Sequence, residues 1–118
     1  MGNSITNTNG RKIKEEEKVL ITTILELAGN SNKISSIPDI VYDLDDGGMG
    51  TIKLTNNKNS IFGKELLVVN YIDSDNTTVI IALTIDKEGD LFELDFWKVN
   101  FEKLLRYPKP NDIEIVID

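Results

Sequence analysis

Glu93 and Asp95 stand two residues apart in the run Gly89-Asp90-Leu91-Phe92-Glu93-Leu94-Asp95-Phe96-Trp97-Lys98-Val99-Asn100-Phe101. On an extended strand that spacing puts both carboxylates on one face, with Cα atoms roughly 6.5–7 Å apart. Paired carboxylates can hydrolyse a glycosidic bond, one protonating the leaving oxygen while the other serves as base or nucleophile. Acids at i and i+2 also occur on any solvated strand, and only Trp97 and Tyr42 offer themselves as sugar-stacking rings. A second reading fits the neighbours better. An indole beside two charges on a flat strand resembles the anchor of a protein interface. Lys98 and Arg106 are the bases that would neutralise the pair if it were structural.

Two further acidic groups lie in turn-like sequence. Asp43-x-Asp45-Asp46-Gly47 and Asp73-x-Asp75-Asn76 faintly resemble calcium loops. Position twelve of each is Leu54 or Thr84, so the bidentate glutamate of such a loop is missing. Aspartate in a hairpin turn commonly bonds nearby backbone N–H groups instead. Gly47, Gly48 and Gly50 could cradle a phosphate, but no Lys-Ser/Thr and no helix follow, and two aspartates precede. No metal ligand, cofactor site or catalytic residue is expected. Asp43, Asp45, Asp46, Asp73 and Asp75 rank behind Glu93, Asp95 and Trp97 as partner-binding candidates.

The missing residue types narrow the chemistry. There is no histidine and no cysteine. Histidine is the usual proton-transfer residue near neutral pH and the commonest metal ligand. Ser-His-Asp and Cys-His catalysis, thiolate zinc sites and disulfides are excluded. Carboxylate, lysine and tyrosine chemistry remain, and the expectation is a protein that is not an enzyme. Net charge is −7. The excess is concentrated in residues 39–118, with sixteen acids against eight bases, while residues 1–38 are near balance. Such a body repels phosphate backbones and anionic lipid, so neither nucleic acid nor membrane is expected as a partner. Solubility alone also favours net negative charge. The first eighteen residues lack the apolar stretch of a signal peptide, and no apolar run approaches membrane-spanning length, so the cytoplasm is the expected compartment.

The elements that must position these residues follow from periodicity. Residues 1–12, rich in Asn, Thr and Gly, read as a disordered N-terminal arm, and 13–118 as a single domain. Met1-Gly2 with Thr6 matches a myristoylation pattern short enough to recur by chance. A helix is predicted over 14–28. Glu15, Glu16 and Glu17 sit in its first turn, Leu20, Ile24 and Leu27 form an apolar stripe with Ile21 and Ala28, and Gly29 ends it. Strands are predicted from Ile40 to Leu44, around Ile52 and Leu54, and over 64–72, 77–85 and 90–99, the last three as an antiparallel meander. Within 90–99, Phe92, Leu94 and Phe96 are expected in the core and Leu91, Glu93, Asp95 and Trp97 on the opposite face. Asn100 should cap a short helical turn over 101–105, and 112–117 should add an edge strand. The fold expected is α+β: an antiparallel sheet of about five strands with one long N-terminal helix on one face. The 77–85 strand is apolar on both sides, so the sheet needs cover on both. The helix supplies one. The other requires the C-terminal segment, a second subunit or a partner.

Several of these segments recur together in order. The helix start Glu15-Glu16-Glu17-Lys18-Val19-Leu20-Ile21, Asp46-Gly47-Gly48-Met49-Gly50, Tyr71-Ile72-Asp73-Ser74-Asp75 and the 89–101 run resemble a bacterial family of small uncharacterised domains with a DGGMG turn and an LFELDxWKVxF strand. The resemblance covers about residues 11–108. It associates the chain with immunity proteins of polymorphic toxin and contact-dependent inhibition systems. It implies a small, acidic, non-catalytic protein that occludes a basic toxin domain, often a nuclease. It carries over no catalytic residue. The alternative from the residues alone is a small ligand-binding or regulatory domain without catalytic activity, dimeric through the second sheet face.

Overall fold

A computed structural model describes residues 9–117. Seven strands form one antiparallel sheet: β1 (Arg11–Lys12), β2 (Ile40–Asp43), β3 (Ile52–Lys53), β4 (Phe62–Ile72), β5 (Thr78–Asp86), β6 (Leu91–Lys98) and β7 (Glu114–Ile115). Their spatial order is β1-β2-β3-β6-β5-β4-β7. Among the described residues a single α-helix, α1 (Glu15–Leu27), precedes β2, and short 3-10 segments occupy Ser31–Ser36 and Pro110–Asp112. The expected meander is β4-β5-β6. It is not the whole sheet, because β3 pairs with β6 and carries the β2-β3 hairpin onto that edge.

The strand count exceeds the expected five because two-residue strands extend both edges. At one edge β7 pairs with β4. At the other, the predicted arm is corrected. Residues 1–8 of it, with the myristoylation pattern, lie outside the described residues, but Arg11 and Lys12 pair with Val41 and Ile40. The cause is the Arg11 guanidinium, which forks to both Glu17 oxygens at 2.9 and 2.7 Å and to both Asp43 oxygens at 2.9 Å. Bidentate pairs of this kind fix geometry as well as charge. Asn- and Gly-rich sequence around the arginine hides that role.

Helix α1 forms where expected and Gly29 leaves it in the left-handed region at φ +71°. Its buried stripe is Leu20, Ile21, Ile24 and Leu25, with Glu17 continuing it at the first turn; Leu27 faces solvent at 47 % exposure. The stripe packs on Val69 and Tyr71 of β4, Val79, Ile81 and Leu83 of β5, Leu94 and Phe96 of β6, and Ile52 of β3. Leu104, Tyr107 and Ile113 join the same cluster. The C-terminal segment therefore lies on the helix side and does not cover the other face.

No helix begins at Asn100. Phe101 takes φ +64°, closing a turn with its N–H on Lys98 O at 2.9 Å. A left-handed residue cannot start a right-handed helix. The donors a helix would use are also taken: Leu104 N–H by Gly48 O, and Leu105 and Arg106 N–H by the Asp73 carboxylate. Residues 99–107 form an irregular strap across one end of the sheet.

The strap is held by a buried ion. Lys98 Nζ, with no exposed side-chain surface, lies 2.9 Å from Asp73 Oδ2, Asp75 Oδ2 and Lys103 O. Three ammonium protons thus meet three acceptors. Asp73 also accepts from Ser74, Leu105 and Arg106 N–H at 2.7, 2.9 and 3.0 Å. Burial pushes the Asp73 carboxyl up, but these donors and Lys98 outweigh it and bring it down to about 2. Burial likewise works against the Lys98 charge, and the two aspartates hold its pKa above the usual lysine value. A carboxylate whose folded pKa lies below its unfolded one stabilises the fold above the unfolded value, and loses that effect as pH falls through the folded one. Asp73→Ala, which leaves a buried cation with half its charge partners, is expected to cost roughly 3–5 kcal/mol in urea unfolding at pH 7. The loss should shrink as pH is lowered from about 4 toward 2. A loss that is the same at pH 3 as at pH 7 would sink this account of Asp73.

Candidate functional site

The face of the sheet away from α1 is built by alternate residues of its three long strands. With Ile81, Leu83, Leu94, Phe96, Val69 and Tyr71 turned inward, the residues between them turn out: Thr78, Ile80 and Ala82 of β5, Asp95 and Trp97 of β6, and Val68, Asn70 and Ile72 of β4. Ala82 stands opposite Asp95 and Ile80 opposite Trp97. Among the described residues no helix packs here, and from the strap Phe101 meets the face at Trp97. Trp97 is 51 % exposed, and Ile72 is as open.

The expected alternation along β6 breaks at one place. Between Leu83 and Ile85 the register advances two residues on β5, while on β6 it moves from Leu94 to Leu91, three residues. The extra residue is a bulge, and it reverses the faces beyond it. Leu91 is therefore in the core, not on the open face, and Phe92 leaves the Leu94–Phe96 cluster. The Thr84 hydroxyl bridges the gap. It accepts the Glu93 N–H at 3.0 Å and donates to Glu93 O at 3.2 Å. Phe92 instead packs edge-on against Phe62, with ring centroids 6.4 Å apart, and Lys53 Nζ lies 4.0 Å from the Phe92 centroid. Cation and ring attract at that distance.

Glu93 and Asp95 remain together, at the boundary between this aromatic end and the apolar centre. Lys53 Nζ is 3.5 Å from Glu93 Oε2. Neither base proposed from the sequence reaches the pair. Lys98 is committed to Asp73 and Asp75, and Arg106 pairs with Asp112 at 2.9 Å. Lys53 was the missed partner. Its register position opposite Glu93 follows from β3 joining β6, a long-range pairing that no local pattern announces. Burial, then a shared hydrogen bond with Glu93 and the charges of Glu93 and Glu65, push the Asp95 carboxyl up to about 8, with Lys53 opposing. The Glu93–Asp95 pair therefore holds on to a proton more tightly than isolated carboxyls do.

At the far end of the face, Trp97 meets Phe101 at 6.3 Å between centroids. Phe101 is 70 % exposed. A bulky residue in the left-handed region stores roughly 1–2 kcal/mol.

The other acidic candidates do not join this site. Asp73 is buried and Asp75, itself exposed, pairs with Lys98, so the 73–75 turn anchors the buried lysine. Asp43 is held by Arg11 on the helix side. Asp46 accepts Met49 and Thr51 N–H at 3.0 and 2.9 Å, ordering the glycine turn. Gly48 (φ +83°) and Gly50 (φ +110°) let that turn lie against Lys103, Phe96 and Leu104. Asp45 is exposed, as is Asp75. Among the described residues no group of three or more acids is arranged to hold a metal ion, and no helix is long and apolar enough to cross a membrane.

A family model described as "Domain of unknown function (DUF6984)" matches residues 10–108. That span runs from β1 through the strap and stops before β7. No curated protein and no solved structure matches the chain.

The carboxyl of Asp95 gives a pH test. An acid whose folded pKa is raised favours the unfolded chain once pH passes the unfolded value near 4, and the penalty grows until the folded group ionises. Asp95→Asn removes this penalty. Its urea midpoint is expected to match the parent near pH 4 and to exceed it progressively up to pH 8. Parallel profiles for the two proteins would show that Asp95 is ionised in the fold.

Proposed function

The chain belongs to the DUF6984 family, whose description assigns no activity, and we propose from its own chemistry that it is a non-catalytic immunity protein binding and neutralising a cognate, basic toxin domain. The observation that carries this reading is the open sheet face, where the strained, exposed Phe101 pairs with Trp97 at one end and Glu93, Asp95 and Glu65 gather at the other. The similarity of the 46–50 turn and the 89–101 strand to immunity-associated domains supports the toxin as the partner. So does charge: a body at −7 steers a basic domain toward it and raises the encounter rate. Trp and Phe supply contact area with little rotamer entropy to lose, which is why such residues dominate binding energy. The same apolar face, Ile72, Ile80 and Trp97, supports a second reading as a regulatory domain dimeric through that face.

The test uses the protein encoded immediately upstream. Its C-terminal domain should arrest growth when expressed alone and be tolerated when this chain is co-expressed. Trp97→Ala with Phe101→Ala should weaken the complex by roughly thirtyfold or more, the expected loss for a central aromatic anchor. The urea midpoint should stay within that of the parent, since both rings are half-exposed or more. An upstream domain that is harmless, or that fails to bind this chain by calorimetry, would overturn the reading. In that case a dimer disrupted by the same two substitutions would favour the regulatory domain.

A further inference from the structure

Strand β7 is held to the molecule by one neighbour. Glu114 stands opposite Asn70 and Ile115 opposite Val69, and the Val116 N–H donates to Val68 O at 2.9 Å. Ile113 packs on the core cluster. Beyond it Ile115 and Val116 are exposed, and Ile117 is 87 % exposed. The segment therefore buries little apolar surface, and each backbone bond contributes only about 1 kcal/mol net. The join to the body is Pro108-Lys109-Pro110, where Pro108 is buried, Lys109 is extended and Pro110 opens the 3-10 turn over 110–112, each proline ring fixing its φ. The corner is fastened by the Arg106–Asp112 pair and by Lys109 N–H on Asp112 Oδ2 at 2.8 Å. Exposed pairs of this kind add little stability.

Strand β4 has the opposite problem. It is eleven residues long, and without β7 its outer edge would be bare along its whole length. A long unpaired edge recruits another strand. The sequence known to fit Val68–Asn70 is the one already seated there.

We propose that β7 is an exchangeable strand, and that the β4 edge accepts the segment Ile113–Ile117 from a second copy of this chain. Exchange keeps every β4–β7 contact, so the closed monomer and the exchanged dimer differ chiefly in chain entropy and in what the proline linker imposes. A short linker holds the tail near its own β4 at an effective concentration in the millimolar range, so exchanged dimer accumulates at about 1 mM protein. A groove lined by Glu65, Leu66, Leu67, Val68 and Val116 continues along the edge past the resident tail, and an arriving segment lies down there first. This inference uses the edge of the sheet and stands independently of any toxin bound to its face.

The absence of cysteine makes a clean trap. Asn70→Cys with Glu114→Cys places one disulfide across a register pair, because opposed Cα atoms of antiparallel strands lie about 4.5–5.5 Å apart, within disulfide range. Oxidation at a hundredth of the effective concentration, about 10 µM, should give cross-linked monomer, and at about 1 mM a substantial fraction of cross-linked dimer. Cross-linked monomer at both concentrations overturns the proposal. The unmodified chain gives a second measurement that needs no cysteine. By sedimentation it should show a dimer at about 1 mM that removal of residues 114–118, the exchanged strand itself, abolishes. No dimer, or one that survives the removal, overturns the proposal as well.

Discussion

Everything at one end of this molecule depends on a lysine that water does not reach. Withdrawing an ammonium from solvent costs several kcal/mol even after relaxation. The fold tolerates Lys98 because each of its three protons meets an acceptor, two of them carboxylates. That requirement recruits neighbours. Asp73 must sit at the β4–β5 turn. Lys103 must present its carbonyl, and so the chain after β6 must bend back instead of continuing as helix. Asp73 then uses its remaining lone pairs on the N–H groups of Leu105 and Arg106. The strap is fixed by electrostatics that its own apolar content does not supply.

With the strap drawn to the helix side, the sheet is left with two unlike faces. One is a packed core of helix, strap and inward strand residues. The other is covered by no helix among the described residues, although β5 is apolar on both sides. The bulge opposite Thr84 shapes that open face. By turning Leu91 in and Phe92 out, it gathers an aromatic end under Lys53 and leaves Glu93 and Asp95 adjacent. Three acids and one lysine cannot all be satisfied there as ions, and the imbalance, with burial, raises the Asp95 carboxyl well above its ordinary value.

Much of the scaffold was legible in the sequence because it is written locally. Period 3.6 over 15–27, alternation over 78–86, aspartates and glycines at 45–50 and 73–76 each specify a structure within their own few residues. The open face was legible too, since an apolar-both-sides strand and a single helix leave one side uncovered. Three readings failed for a common cause. Arg11 was hidden in polar, Gly-containing sequence, the helical turn after Asn100 was plausible on its cap, and strict alternation was assumed through Phe92. In each, a contact more than thirty residues away in sequence, or a one-residue slip against a neighbouring strand, overruled the local preference.

The sequence by itself determined the class of fold, the identity of most core residues, and the exclusion of histidine and cysteine chemistry, because these follow from residue types and short-range periodicity. Which carboxylates are spent and which are presented was decided only by tertiary structure. Asp73 and Asp95 are both aspartates in acidic, strand-rich stretches. One faces a buried lysine and four backbone or side-chain donors, and is held ionised at about 2. The other has Glu93 two residues along its own strand and Glu65 from β4 near it, and is pushed up to about 8. Charge state is set by what other strands bring within a few ångströms, and strand order is a property of the whole chain.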